Sequence, residues 1–249
     1  MFDEFFTLLK NSRRQVVLTG AGVSTLSGIP DFRSSDGLYS KEFGHMRVEE
    51  ILDIDFFKAH PEIFYSWAKD NWYNIDNVKP NIIHKTLKKA EDKGYLNEGI
   101  FTQNIDFLHE RAGSRKVYPL HGTLERAYCI SCHSYHEYDE ISKIVHEDKI
   151  PRCDRCGGLI KPDIIFYGEN LDMSILQRAE NAFYNADLVL VLGSSLVVNP
   201  AASLPYIAAR KGSNIVIVNR DDTYLDPYAA LRYRDLKSFF IAFASFLDA

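Results

Sequence analysis

Two short runs, LVLVLG (188–193) and NIVIVN (214–219), constrain the fold more than anything else in the chain. Neither alternates apolar with polar residues, so each is a strand covered on both faces, as in a parallel sheet. QVVLT (15–19), GIFT (99–102) and KVYPL (116–120) have the same character, and between them lie helix-like segments at 82–94 and 175–186. Strands alternating with helices make this an α/β chain, a parallel sheet with helices on both faces.

Two regions break that rhythm. Residues 34–79 are aromatic and polar, with Phe43, Phe56, Phe57, Phe64, Trp67, Trp72 and Tyr73, and read as short helices and loops. Residues 125–160 hold every cysteine. The expected division is one large domain from 1–33, 80–124 and 161–249, and a small discontinuous domain. The small domain combines a helical part (34–79) with a metal-binding module (125–160). A length of 249 residues is sufficient for this.

With 46% hydrophobic and 25% charged residues the composition is that of a globular enzyme, and a net charge of −5 is not that of a nucleic-acid binder. No run has the roughly 18 apolar residues of a membrane span. In MFDEFFTLLKNSRR the acids precede the apolar stretch and the basic residues follow it, the reverse of a secretory signal. An amphipathic first helix, carrying Phe2, Phe5, Phe6, Leu8 and Leu9, and a cytoplasmic location are expected. The apolar SFFIAFASFLDA reads as a terminal helix packed on the core.

The four cysteines fall as Cys129-x2-Cys132-x20-Cys153-x2-Cys156. Two CxxC pairs about 15–20 residues apart match a structural zinc site, each pair turning two thiolates toward one ion. Two disulfides would suit an oxidising compartment rather than a cytoplasmic chain. Four sulfur ligands leave no open position, so the Zn2+ holds the insert together and does no chemistry.

After QVVLT comes GAGVSTLSGIPDFR (20–33). Gly20-Ala21-Gly22 opens like a phosphate-binding turn, in which glycines let backbone N–H groups approach a pyrophosphate. The third glycine of the dehydrogenase fingerprint is Thr25 here, and no strand ending in an acid follows about 20 residues on. Ser24, Thr25 and Ser27 supply hydroxyls instead, and Gly28-Ile29-Pro30 leads into Asp31-Phe32-Arg33. Hydride transfer is disfavoured.

These blocks resemble the signature of the sirtuins, NAD-dependent protein-lysine deacylases, of bacterial or archaeal type. The resemblance continues in order through Gln103-Asn104-Ile105-Asp106, His121-Gly122, the four cysteines, Lys161-Pro162-Asp163, Phe166-Tyr167-Gly168-Glu169 and Gly193-Ser194-Ser195-Leu196-Val197-Val198-Asn199-Pro200, and ends at Asn219. It implies a Rossmann-like domain with a zinc-bearing small domain. It also implies NAD consumed as co-substrate: the acyl-lysine oxygen attacks the nicotinamide ribose, nicotinamide leaves, and the acyl group passes to ADP-ribose.

Of the eight histidines, His121 follows a strand and precedes a glycine, and histidine serves as a base near neutral pH. The resemblance makes it the catalytic base. Asn104 is implied to orient hydroxyls or a water, and Asp106 to meet the carboxamide. The implied NAD contacts are Gly20, Ala21, Gly22, Ser24, Thr25, Asp31, Phe32, Arg33, Gln103, Asn104, Ile105, Asp106, His121, Gly193, Ser194, Ser195 and Asn219, with Phe32 shielding the reactive carbon from water. An acetyl-lysine peptide is implied to add as a strand between Gly168-Glu169 and Val197-Val198-Asn199.

Sirtuins that remove acidic acyl groups carry a Tyr-x-x-Arg pair; Tyr65 is present here, but Ala68 stands in the arginine's place. Neutral acyl groups, acetyl first, are expected of a monomer with no nucleic-acid or membrane partner. Protein mono-ADP-ribosyl transfer uses the same pocket and is the alternative; a non-catalytic NAD-sensing module is disfavoured by the presence of His121, Asn104 and Asp106.

Overall fold

The computed structural model describes residues 2–32, 37–38 and 42–249. Its first half runs α1 (Asp3–Asn11), β1 (Gln15–Thr19), β2 (Glu42–Phe43), β3 (Met46–Arg47), α2 (Val48–Ile51), α3 (Ile54–Ala59), α4 (Pro61–Asn71), α5 (Ile82–Asp92), β4 (Gly99–Thr102), α6 (Leu108–Arg111) and β5 (Val117–Pro119). The second half runs β6 (Gly122–Cys129), β7 (Tyr135–Glu137), α7 (Tyr138–His146), β8 (Ile160–Ile164), α8 (Met173–Asn185), β9 (Leu188–Leu192), α9 (Leu204–Arg210), β10 (Asn214–Val218), β11 (Leu231–Tyr233) and α10 (Leu236–Asp248).

Six strands form one sheet in the order β11-β10-β9-β1-β4-β5, and every neighbouring pair is parallel. The chain enters at the centre on β1, runs outward through β4 and β5, and returns to β9 on the other side of β1. Connections leave β1 and β9 in opposite directions, and such a switch point opens a crevice at the carboxyl ends of the strands. The apolar runs are continuous because both faces are covered. Val17 and Leu190 pack with Phe5 of α1, Leu87 of α5 and Phe240 and Phe243 of α10. Val16, Leu18, Val189 and Val191 pack on the opposite face with Ala179 and Phe183 of α8 and Leu204 and Ala208 of α9.

The helices have local reasons to start where they do. In α1, Asp3 and Glu4 lie in the first turn and Lys10 in the last, opposing the helix dipole. Asn81 caps α5 by accepting from the Ile83 N–H at 2.8 Å, and Asp172 and Asp235 cap α8 and α10 in the same manner.

A second core lies outside the large sheet. Residues from Val48 to Ile75 share it with residues from Leu124 to Phe166, so segments distant in sequence bury one another. Its centre is aromatic: Phe64 packs edge-on to Phe57 with ring centroids 5.0 Å apart, and Trp67 meets Trp72 at 4.9 Å. Beside it, β7, β6 and β8 form an antiparallel sheet, so Ile160–Ile164, just past the last cysteine, pairs with β6. Among the described residues no helix is long and apolar enough to cross a membrane.

Candidate active site

The turn after β1 and the turn after β9 meet glycine to glycine. The Gly20 N–H donates to the Leu192 carbonyl at 3.0 Å and the Gly22 N–H to the Gly193 carbonyl at 2.9 Å. A methyl group on Gly22 would stand 2.8 Å from the Gly193 Cα, and one on Gly193, where φ is +60°, would stand 2.7 Å from the Val23 nitrogen. These glycines are therefore required for the approach of two backbones as well as for any phosphate.

Polar side chains from three strand ends converge behind this junction. Ser24 Oγ donates to Asp106 Oδ2 at 2.6 Å, and Asn104 Nδ2 donates to Ser24 Oγ at 3.1 Å. The Leu108 N–H donates to the other Asp106 oxygen at 3.0 Å. Burial raises the Asp106 pKa, while these donors oppose the rise. On the β9 side, Ser194 Oγ donates to Gln103 Oε1 at 2.6 Å.

His121 follows β5. Its Nδ1 lies 3.1 Å from the Gln103 carbonyl oxygen, which can only accept, so the proton sits on Nδ1 and Nε2 carries the lone pair of a base. Gly122 follows at φ +79°, and a methyl group there would be driven into the Asp163 carbonyl. The next pairing, from the Ile165 N–H to the His121 carbonyl at 2.9 Å, ties this point to the strand leaving the small sheet.

A cleft of about 730 Å³ runs along these strand ends. Of the residues expected at the site, Gly20, Ala21, Gly22, Thr25, Asp31, Phe32, Gln103, Asn104, Ile105, His121, Gly193, Ser194, Ser195 and Asn219 line it, as do Gly168, Glu169, Val197, Val198 and Asn199. Ser24 and Asp106 do not; both are buried and bonded to each other beneath the wall, so they hold the wall in place. Arg33 lies outside the described residues.

Leu52, Trp72 and Leu171, which sequence reasoning did not single out, also line the cleft, as do Arg234 to Lys237, a region whose individual contacts sequence spacing could not assign. The last group follows β11, a three-residue strand too short to give a hydrophobic signal.

The four cysteine sulfurs lie within 4.8 Å of one another, with Cys129 Sγ to Cys156 Sγ at 3.5 Å and Cys132 Sγ to Cys153 Sγ at 3.6 Å. Zinc–sulfur bonds of about 2.3 Å put tetrahedral sulfurs about 3.8 Å apart, so the set fits zinc. Hydrogen bonding from Ser134 pulls the Cys153 thiol down to about 5. Although the Gly158 N–H favours its thiolate, Cys156 is pushed up to about 12 by sharing protons with Cys132 and Cys129. All four are free cysteines, a donor set that as thiolates would close a tetrahedron around one cation.

A family model described as the Sir2 family matches residues 20–200. The chain belongs to the Sir2 family. Among its Sir2 relatives is an NAD-dependent protein deacetylase of Thermotoga maritima, 47% identical over 230 residues, covering 92% of this chain and 91% of the relative. Another is NAD-dependent protein deacylase 1 of Archaeoglobus fulgidus, 40% identical over 229 residues, covering 92% and 90%.

Solved Sir2 structures superpose over nearly the whole chain. One holds a p53 peptide and NAD+, with TM-score 0.87 and 45% identity, covering 99% of this chain and 97% of that one. Another holds a deacetylated p53 peptide and 3′-O-acetyl-ADP-ribose, with TM-score 0.89 and 45% identity, covering 98% and 96%.

Proposed function

We propose that this Sir2-family chain is an NAD-dependent protein-lysine deacetylase, transferring the acyl group of an acyl-lysine peptide to ADP-ribose with release of nicotinamide. The observation that carries this reading is the His121 imidazole, fixed with its proton on Nδ1, in the same cleft as the Gly20–Gly22 turn and Phe32. The names of the relatives favour deacetylation over ADP-ribosyl transfer to protein.

In this reading the Gly20–Gly22 turn and Ser194 and Ser195 take the phosphates, and Asn219 takes the adenosine ribose. Asn104 reaches the nicotinamide side. The acyl oxygen attacks the ribose carbon, and nicotinamide departs. His121 Nε2 then accepts the proton from the ribose 3′-hydroxyl, through which the 2′-hydroxyl attacks the acyl carbon; one water is consumed as the carbon–nitrogen bond breaks, giving free lysine and O-acyl-ADP-ribose. Phe32, half-buried at the cleft edge, excludes water that would intercept the activated sugar. The resident metal would be a structural Zn2+ on Cys129, Cys132, Cys153 and Cys156, with no position open for substrate.

The Tyr65 hydroxyl is buried and donates to the Ile160 carbonyl at 2.7 Å, so it is committed to the small-domain core. Ala68 is fully buried, and Lys69 points outward to Asp148 at 2.7 Å. Nothing from α4 offers a cation to an acidic acyl group, which supports acetyl and other neutral groups as substrates. A large domain from 1–33, 80–124 and 161–249, a small one from 34–79 and 125–160, and a cytoplasmic monomer complete the reading.

The test is nicotinamide release from NAD with and without an acetyl-lysine peptide, in the wild type and in His121→Ala. Peptide-dependent release and a loss of acyl transfer of about 10²–10⁴-fold in the variant are expected for removal of a general base. Release that ignores the peptide would refute it.

A further inference from the structure

Lys161 lies in β8 and is 1% exposed, although the reaction described above does not use it. Its ammonium reaches forward along the chain: Nζ stands 2.9 Å from Glu169 Oε2 and donates to the carbonyls of Ile164, at 2.5 Å, and Pro162, at 3.3 Å. The fourth side is aromatic, with Nζ 4.1 Å from the Phe166 ring centre and 5.4 Å from that of Tyr128. A buried ammonium persists only where its charge is met on every side.

The same Glu169 oxygen accepts from the Phe166 N–H at 2.8 Å, and the Glu169 N–H returns to the Phe166 carbonyl at 3.0 Å. Glu169 thereby closes residues 166–169 into a tight loop, with Gly168 at φ +88°. On the loop's other flank the Tyr167 N–H donates to the Leu52 carbonyl at 2.9 Å, and the Ile54 N–H to the Tyr167 carbonyl at 3.0 Å.

We propose that Lys161 is a positioning residue for the acyl-peptide, holding the Phe166–Glu169 loop through Glu169 so that its backbone stands ready to pair with an incoming strand. The proposal rests on the deacetylase reading and assigns the Glu169 carboxylate to the loop's own fold. Main-chain pairing of an added strand depends on the placement of the receiving backbone, and a displaced loop weakens peptide binding with little effect on the nucleotide side. Burial lowers the Lys161 pKa and the Glu169 charge opposes the fall, consistent with an ammonium held by this partner.

The test uses zinc-loaded full-length protein. Lys161→Met fills the buried volume without charge and leaves Glu169, with its side chain 22% exposed, able to reach water. Steady-state kinetics with an acetyl-lysine peptide and NAD should show the peptide KM raised about tenfold or more, with kcat at saturating peptide within about threefold, the pattern of lost uniform binding. NAD affinity, read separately by tryptophan fluorescence, should stay within about twofold. Lys161→Arg, which keeps the charge, should restore peptide KM toward wild type.

A Lys161→Met enzyme with wild-type peptide KM would overturn the proposal. So would a parallel loss of peptide affinity, NAD affinity and melting temperature, because that is what a purely structural lysine would give. A wild-type protein that binds NAD but no acetyl-lysine peptide would instead bring down the deacetylase reading, and this proposal with it.

Discussion

Acid should destabilise the protein through one buried histidine that the proposed reaction does not use. His84 sits fully buried in α5, with its ring centre 4.8 Å from that of His109, which is also buried. His84 Nδ1 accepts from the Asn81 N–H at 3.3 Å, so a proton there would set donor against donor. His84 Nε2 has no hydrogen-bond partner among the described residues. Burial lowers the His84 pKa from 6.5 to about 4. His109 is depressed too, by burial first and then by the neighbouring His84 charge, so a second proton is harder still to add.

Between those two values the unfolded chain binds the proton and the folded chain refuses it. Stability is therefore complete above pH 6.5 and falls as pH drops toward 4. At about 1.4 kcal/mol per unit, His84 alone removes about 2 kcal/mol by pH 5. The perturbation that isolates it is His84→Gln. Asn81 is the N-cap and position 84 is N3, where glutamine can receive the same N–H without titrating. Denaturant unfolding at pH 7.5 and pH 5 should show the wild type losing about 2 kcal/mol more than the variant. Parallel losses in the two proteins would refute the reasoning. The effect also bears on the site, because the Asn81 side chain donates to the Val23 carbonyl and to Ser27 Oγ in the glycine loop.

Gly22→Ala would place a methyl group 2.8 Å from the Gly193 Cα, where only backbone can yield. Overpacking of this kind costs about 1–3 kcal/mol, and parting the two turns should weaken NAD binding, measured calorimetrically, more than peptide binding. Stripping zinc with a strong chelator should lower the melting temperature and expose the aromatic core around Trp67 and Trp72, visible as a fluorescence shift, because β6 and β8 on that core carry the cysteine turns at their ends. Unchanged melting after the sulfurs are shown to be metal-free would count against a structural metal.

The sequence by itself settled what short-range patterns can settle. β1 and β4 coincide with QVVLT and GIFT, and LVLVLG and NIVIVN each form a strand, because unbroken Val, Leu and Ile at that length suit only strands with both faces buried. The cysteine spacing foretold the sulfur cluster, since each pair is a local turn. β11 stayed hidden: three half-buried residues have no period, and they become a strand only because β10 offers an open edge.

Tertiary structure decided the rest. It placed Ser24 and Asp106 under the cleft wall and joined Ser24 to both Asp106 and Asn104 across 80 residues or more of chain. It brought Leu52 and Trp72 to the cleft, and it turned Lys161 from a letter in a motif into a buried cation holding a loop. Hydrogen bonds and steric approach act over about 3 Å of space, whereas sequence records only order along the chain. For the glycine turns and the Ser24 network, that range was reached because β1 pairs with β4 on one side and with β9 on the other.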